Sequence, residues 1–260
     1  MTRLRVAGAV TVAVALLALL GPLLASGSPT QPVGIPYDAP TSAHLLGTDA
    51  LGRDVLARVL HGGYLVVGLA VAATVLATAL GVAVGVLSTL VSRRAGESAM
   101  RVLDLFVVVP ALLLLIVLAA GFPGSDLALL AAVVITTTPF SARVVRAAAQ
   151  QVAGRGFVEV ALARGDGRFR VLRKDILPNI AGPVLADAGL RFVGAVYLTA
   201  TAGFLGIGRG APAANWGRMV AENISGAALA VLPFLVPALL LVAFGVAVNL
   251  LADELVSRFA

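Results

Sequence analysis

The feature that most constrains this chain is a pair of long segments without a single charged residue. Residues 59–92 and residues 223–252 contain no Asp, Glu, Lys or Arg. Each is longer than the roughly 20 apolar residues with which a helix spans the hydrocarbon core of a bilayer. Only 12% of the chain is charged, whereas about 25% is usual in a soluble domain. We therefore predict an all-α integral membrane protein.

Six apolar segments predict six transmembrane helices within a single transmembrane domain, residues 1–260. The segments cover residues 6–25, 64–91, 105–122, 127–142, 180–207 and 229–252. The third and fourth are short for a span, which needs about 20 residues. Within the domain we expect an N-terminal helix (1–28), an extracytoplasmic loop (29–62) and a five-helix core (63–260).

The first segment has two interpretations. A basic start, an apolar run and small residues near Ala25 also resemble a secretory signal peptide. The uncharged core of this segment is longer than the roughly 7–15 residues expected of a signal peptide, which favours a retained membrane helix.

The positive charges predict the orientation in the membrane. Of the 19 Lys and Arg residues, Arg191 lies inside a predicted span, four lie in the loops on one side and the other fourteen on the opposite side. Those four are Arg53, Arg58, Arg209 and Arg218. Because loops rich in Lys and Arg stay in the cytoplasm, we expect both termini to be cytoplasmic. The second loop on the outer side contains Trp216, for which we expect a position at the membrane interface.

The composition argues against nucleic-acid binding and catalysis. The net charge is +6, but aromatic residues make up only 5% and the charges lie between apolar runs, a pattern typical of membrane orientation signals. The absence of cysteine excludes disulfides and Cys-based metal or redox sites. His44 and His61 are the two histidines, and no HExxH, GxSxG or P-loop motif occurs. We predict no catalytic or metal site.

One cytoplasmic loop, residues 157–179, differs from the rest of the chain because it is dense in Arg and Lys. Its first part predicts a helix that ends at Gly165 in a left-handed turn. Asp166 is positioned to cap a second short helix, which we expect to end near Pro178, where the fifth span begins. Small Ala161 and Ala163 would let another surface approach closely. The loop is thus either a docking site for another protein or a basic loop that orients the chain and contacts anionic lipid.

Glu159, Ala161, Gly165 and the run 177–179 (Leu-Pro-Asn) resemble the "EAA" loop of ABC importer permeases. In that family the loop forms a coupling helix that inserts into a groove on an ATPase subunit. The resemblance implies an ATPase-docking surface with the following residues: Phe157, Glu159, Val160, Ala161, Arg164, Gly165 and Asp166. Val160 is bulkier than the motif residue it replaces, and Asp175 stands where relatives often carry His. Both departures leave the helix–glycine–helix plan intact.

Two further stretches resemble permeases of the dipeptide, oligopeptide and nickel group. Residues 44–58 resemble its HPLGTDxxGRDxxSR signature, and residues 204–217, which include Pro212, resemble its SFLGxG…P…WG ending. The first stretch supplies an outer-mouth motif: Gly47, Thr48, Asp49, Gly52, Arg53 and Asp54. Thr48 and Asp49 can cap a helix start, and Asp49 or Asp54 can pair with Arg53 or Arg58. This motif is either a structural clamp or a direct contact for cargo.

Asp187 and Arg191 are four residues apart on the fifth predicted span and therefore share a helix face. A charge at the bilayer centre costs about 2.5–3.5 kcal/mol on insertion scales, so the two should face protein or water. They either line the translocation path or its gate, or form a structural ion pair between spans.

The resemblance implies a permease subunit of an ATP-driven importer in the bacterial inner membrane. The implied partners are a second homologous permease, two ABC ATPase subunits, an extracytoplasmic substrate-binding protein and the lipid bilayer, with no nucleic acid. This chain would bind no cofactor, because ATP and Mg²⁺ would belong to the ATPase. Di- and oligopeptides are the expected cargo, with nickel complexes and glutathione-like compounds as alternatives. The competing function is a self-sufficient secondary transporter or channel, in which Asp187 and Arg191 would couple an ion.

Overall fold

Helices make up the regular structure in the described part of the chain. The computed structural model describes residues 2–210 and 213–259, so Pro212 lies outside it, and within those residues it holds only two isolated β-bridges besides helices. The α-helices are α1 (Thr2–Leu24), α2 (Val55–Leu90), α3 (Arg93–Val108), α4 (Ala111–Gly121), α5 (Asp126–Ala153), α6 (Gly156–Ala163), α7 (Arg168–Val171), α8 (Leu177–Phe204), α9 (Trp216–Asn223) and α10 (Leu232–Phe259). A π-helical turn, Leu172–Ile176, joins α7 to α8, and a 3₁₀ turn, Ile224–Gly226, follows α9. The predicted all-α fold is confirmed.

Five long helices in the described residues are apolar enough to cross a membrane. They lie in α1, α2, α5, the continuous run from α7 to α8, and α10. The fourth predicted span is much longer than the sequence indicated, since α5 continues past Arg143 and Arg146 to Ala153. Both arginines contact α3, which lets the helix extend beyond its apolar part.

The third predicted span is not one straight helix. It consists of α3 and α4, which meet at an angle of 79°. The break falls at Val109 and Pro110, where Val109 is extended (φ −77°, ψ 121°). Proline disfavours a helical conformation in the residue before it and has no N–H to donate, so the helix cannot continue through this point. A single helix over residues 105–122 was therefore the wrong prediction.

The ends of the helices show that the α3–α4 pair still crosses the bundle once. At one end, Trp216 Nε1 donates to Val59 O over 2.7 Å and Arg209 N donates to Asp126 Oδ1 over 2.8 Å, so α2 and α5 both begin there. We call this the cap end; it holds residues 25–54, 205–210 and 213–231. At the loop end, which holds residues 154–176, Arg146 Nη1 donates to Gly96 O over 2.7 Å. Because α2 and α5 run in the same direction, α3 and α4 must return the chain from the loop end to the cap end.

The same reasoning places the first described turns of α1 and the last described turns of α10 at the loop end. Helix α8 runs from the loop end to the cap end, and α10 returns. Val6 of α1 and Leu250 of α10 line a common groove, so the first turns of α1 lie beside the last turns of α10. The chain therefore makes six passes, as predicted from the six apolar segments.

Small residues allow the spanning helices to pack closely. A Cβ added at Gly85 of α2 would lie 2.7 Å from Ala142 O and 2.9 Å from the Val145 side chain of α5. Small residues are the usual means of bringing helix backbones together in a bilayer, where lipid gives no hydrophobic drive for association. A second apolar cluster at the loop end contains Val86, Val145 and Ile180 of α2, α5 and α8 and anchors the segment described next.

Candidate functional site

We call the loop that is predicted to dock a partner, residues 154–176, the docking loop; it has the predicted helix–glycine–helix plan. Helix α6 ends where Gly165 takes φ +87°, a conformation that only glycine adopts without strain. Gly165 N donates to Leu162 O over 3.0 Å and Asp166 N donates to Ala161 O over 3.1 Å. This pair of bonds is the Schellman motif, which satisfies the last carbonyl groups of a helix. The turn direction of the loop is thus set by one glycine.

The two faces of α6 have different environments. Val158 and Ala161 are buried in the loop-end cluster, whereas Phe157, Val160 and Leu162 expose 42%, 52% and 46% of their surface. Glu159 and Arg164 are exposed as well. Ala161 therefore permits a close approach to this chain's own helices, and only Ala163 of the two small residues is accessible to a partner.

The second helix of the loop differs from the prediction in two respects. Gly167, not Asp166, occupies the N-cap position of α7, and Asp166 instead pairs with Arg170 at 3.3 Å. The helix does not end near Pro178 either, because the π turn carries it directly into α8. The wider π turn accommodates the missing N–H of Pro178, and Asn179 Nδ2 donates to the Asp175 carbonyl over 2.7 Å. Helix α7, the π turn and α8 are consequently one continuous helical element, residues 168–204.

At the cap end, the outer-mouth motif forms a buried charge cluster centred on Asp49. Asp49 Oδ2 accepts from Arg53 Nε at 2.8 Å and from Arg58 Nη1, while Asp49 Oδ1 accepts the N–H groups of Leu51 and Arg53. All three charged side chains are almost completely buried. Asp49 therefore accepts four hydrogen bonds, two of them from guanidinium groups that compensate its charge. Such a matched set of partners favours one conformation of this loop.

Glu222 of α9 joins this cluster from a distant part of the chain. Its Oε2 accepts from Arg53 Nη2 at 2.7 Å and from Arg58 Nη1 at 2.9 Å. The next residue, Asn223, is buried and accepts the N–H of Ala50 at 3.0 Å. Neither residue was predicted from the sequence. Glu222 could have been suspected, because it is the sole carboxylate between positions 188 and 252 and lies on the side that carries Arg53 and Arg58.

The remaining motif residues shape the cap backbone. Gly47 and Gly52 have φ values of +70° and +71°, and a side chain at either would collide with a backbone carbonyl. Thr48 accepts the Asp38 N–H and donates to Ile35 O, so it does not cap a helix as predicted. Asp54 caps α2 instead, with 2.8 Å to Ala57 N, and its other oxygen lies 2.6 Å from His44 Nδ1.

Trp216 is fully buried at the cap end, so the predicted interfacial position was wrong. Its ring packs against Gly63 of α2, where a Cβ would come within 2.5 Å of Trp216 Cζ2. Asn215 caps α9 through its side-chain oxygen, which accepts the N–H of Gly217 at 2.9 Å. The second motif therefore holds α9 against α2 and α8.

Asp187 and Arg191 form the predicted pair on α8, with Arg191 Nε 3.1 Å from Asp187 Oδ1. Arg191 also lies over the ring of Phe140 of α5, 5.4 Å from its centroid. Asp187 is buried, and its Oδ2 has no hydrogen-bond partner among the described residues. The pair thus connects α8 to α5 within one chain.

The described residues hold no group of three His, Cys, Asp or Glu side chains that could bind a metal ion. What the structure offers is mechanical: six passes, an exposed helical loop at one end and an ion-paired cap at the other. This architecture defines the class of all-helical integral membrane subunits.

The family follows from the comparison of sequences. Residues 77–260 match the family model for the binding-protein-dependent transport system inner membrane component, and the chain belongs to that family. A peptide transport system permease protein of Brucella suis biovar 1 (strain 1330) is 32% identical over 245 residues, which are 93% of this chain and 82% of the relative. The di/tripeptide transport system permease protein DppC of Pseudomonas aeruginosa (strain UCBPP-PA14) is 32% identical over 211 residues, 81% of this chain and 70% of that protein.

Solved structures show the same fold. A chain of the MetNI methionine ABC transporter superposes with a TM-score of 0.64 at 18% identity, over 78% of this chain and 96% of that chain. A chain of an amino acid ABC transporter gives a TM-score of 0.58, also at 18% identity, over 74% and 90% of the two chains. At such identity the likeness concerns the fold alone.

Proposed function

We propose that the chain is one of two homologous permease subunits of an ATP-driven importer for di- and oligopeptides, and that it forms half of the translocation pathway. The observation that carries the proposal is the exposed apolar face of α6 at the end of the bundle. Exposed apolar surface on a structured, arginine-flanked helix is typical of a binding site for a partner. This chain is non-catalytic in the proposal.

The proposed occupant of the α6 face is an ABC ATPase subunit. Phe157 and Val160 would provide the apolar contact, and Arg164 and the basic residues that follow would provide charge at its rim. ATP and Mg²⁺ would be bound by the two ATPase subunits alone. Hydrolysis can drive transport only if the ATPases contact this loop differently in two conformations of the complex.

The packing beneath α6 suggests how a displacement would reach the pathway. Val158 and Ala161 lie in the same cluster as Val86 of α2, Val145 of α5 and Ile180 of α8. A movement of α6 would therefore act on three spanning helices together. The π turn gives α8 a direct covalent connection to the same loop, so we propose α8 as the main transmitting element.

The proposed orientation places the loop end in the cytoplasm and the cap end outside. The excess of Lys and Arg on one side supports it, and the first described turns of α1 and the last described turns of α10 lie at that end of the bundle. In this orientation the cap would face an extracytoplasmic substrate-binding protein. We propose that the Asp49 cluster is a clamp that keeps the outer mouth rigid, since Asp49, Arg53 and Arg58 are buried and Glu222 completes the compensation of their charges.

The peptide cargo is proposed from the relatives, two of which are named for peptide or di/tripeptide transport. Selection among peptides would reside mainly in the binding protein. Asp187 and Arg191 would stabilise the wall of the path by connecting α8 to α5.

The proposal is tested by co-purification of the complex with Val160→Asp. This substitution places a charge in the centre of the exposed α6 face and should sharply reduce retention of the ATPase without preventing membrane insertion. Leu229→Asp is the matched control, because Leu229 is an exposed apolar residue at the cap end. Full ATPase retention by Val160→Asp, or transport by this chain alone down an ion gradient without ATP, would contradict the proposal.

A further inference from the structure

An open pocket of about 650 Å³ lies between α3 and α5 at the loop end, outside the docking loop. The residues that line it are Glu97, Met100, Arg101, Arg146 and Gln150. Two arginines and one carboxylate give the pocket a positive balance. Such a pocket between membrane helices is suited to a phosphate group.

The two arginines have different degrees of freedom. Arg146 is half-buried and its Nη1 donates to Gly96 O over 2.7 Å, so its guanidinium is held in place. Arg101 is exposed, and among the described residues it forms no hydrogen bond or ion pair. One fixed and one adjustable guanidinium can both donate to the oxygen atoms of the same phosphate.

The surface beside the pocket is apolar. Leu105 and Val108 follow Arg101 on the same face of α3, one and two turns further along, and they expose 68% and 80% of their surface. The charged residues between them and the pocket neutralise each other, because Arg143 pairs with Asp104. The positively charged pocket is complementary to the phosphate headgroup of a lipid, and the adjoining apolar strip is complementary to the acyl chain of the same lipid.

We propose that this α3–α5 pocket binds the headgroup of an anionic phospholipid in the leaflet at the loop end. Lipid is favoured over a protein partner because the adjoining apolar strip belongs to the broken third crossing, which enters the membrane. An anionic headgroup is favoured over a zwitterionic one, since the two guanidinium groups would repel a choline. Bound lipid would fill the space between α3 and α5. It would thereby stabilise the position of α3 and the 79° angle between α3 and α4. This site is independent of the proposed cargo.

Native mass spectrometry of the purified full-length chain, with added phosphatidylglycerol or phosphatidylcholine, tests the proposal. The wild-type chain should retain phosphatidylglycerol in preference to phosphatidylcholine. Arg101→Gln should lower phosphatidylglycerol binding about fivefold, the effect of one basic residue at an anionic surface. Arg101→Lys should retain most of the binding. Arg173→Gln is the matched control, because it removes the same charge from an exposed site at the loop end outside the pocket.

Four results would overturn the proposal. Equal retention of the two lipids by the wild-type chain would show that no anionic headgroup is recognised. Displacement of phosphatidylglycerol by millimolar inorganic phosphate would assign the pocket to a free anion. Unchanged lipid binding by Arg101→Gln would remove the pocket from lipid recognition, and loss of the co-purifying ATPase in the same variant would assign it to a protein contact.

Discussion

Arg53 Nη2 donates to Glu222 Oε2 over 2.7 Å, although the two residues are 169 positions apart in the chain. The bond joins the loop before α2 to the end of α9. Together with Asp49 and Arg58 it makes the cap end a single unit. A local sequence motif and a distant carboxylate thus complete one structure.

Asp49→Asn should destabilise the protein strongly. It leaves the buried guanidinium groups of Arg53 and Arg58 with Glu222 as their single carboxylate partner in the cluster, and loss of one member of a buried ion pair costs about 3–5 kcal/mol. The thermal unfolding temperature in detergent measures the effect. Asp38→Asn, at an exposed position of the same loop, should leave that temperature nearly unchanged. Equal unfolding temperatures for the two variants would show that the cluster is not the clamp.

Gly165→Ala should impair coupling to the ATPase, whereas Gly167→Ala should not. Both positions have open space around them, but Gly165 has φ +87° and Gly167 has φ −64°. A side chain in the left-handed conformation costs about 1–2 kcal/mol, so alanine at position 165 would reorient α6. Transport-stimulated ATP hydrolysis in the reconstituted complex is the measurement. If both variants retained full stimulation, the turn would have no role in coupling.

Gly85→Ala should separate α2 from α5 and destabilise the bundle by about 1–3 kcal/mol, the usual effect of overpacking. Gly68→Ala in the same helix meets no atom within 4 Å, and it should stabilise by up to about 1 kcal/mol because alanine is the better helix former. Unfolding curves of the two variants would give effects of opposite sign. Stabilisation by both would mean that α2 and α5 are less closely packed than described.

Asp187→Asn should destabilise the protein by about 1–3 kcal/mol, because it leaves the charge of Arg191 without its counter-ion. The double variant Asp187→Asn with Arg191→Gln should recover much of this loss and most of the transport, since neither charge then remains. Unfolding and peptide uptake in proteoliposomes are measured together. A stable double variant without transport would instead place the pair in the translocation path.

The proposed orientation can be checked by labelling, because the chain has no cysteine of its own. Phe169→Cys and Leu229→Cys place a thiol at highly exposed positions at the loop end and the cap end, respectively. In spheroplasts, a membrane-impermeant maleimide should label position 229 and should reach position 169 only after permeabilisation. The reverse pattern would contradict a cytoplasmic docking loop.

The sequence predicted the features that depend on local chemistry. Long uncharged segments are stable in lipid rather than in water, and a backbone in lipid must form its hydrogen bonds within a helix. These two requirements determined the all-α fold and the number of passes. Gly165 predicted the end of α6, because a left-handed residue at a helix C-terminus is a local requirement. The pairing of Asp187 with Arg191 followed from their spacing on one helix. Pro110 is also a local signal for a break in the helix. The prediction missed this break because the residues on both sides of Pro110 are apolar and were assigned to one span.

The tertiary structure decided everything that depends on which segments meet. Asp49, Asp54, Arg53 and Arg58 allow several pairings in the sequence, and only the position of α9 makes Glu222 a further partner of Arg53 and Arg58. Helical spacing shows that α6 has two faces but not which one is buried; the cluster formed by α2, α5 and α8 determines that Val158 faces inward and Val160 outward. The physical reason is the same in both cases. Composition and spacing act within one segment, whereas burial and charge compensation are properties of the contacts between segments.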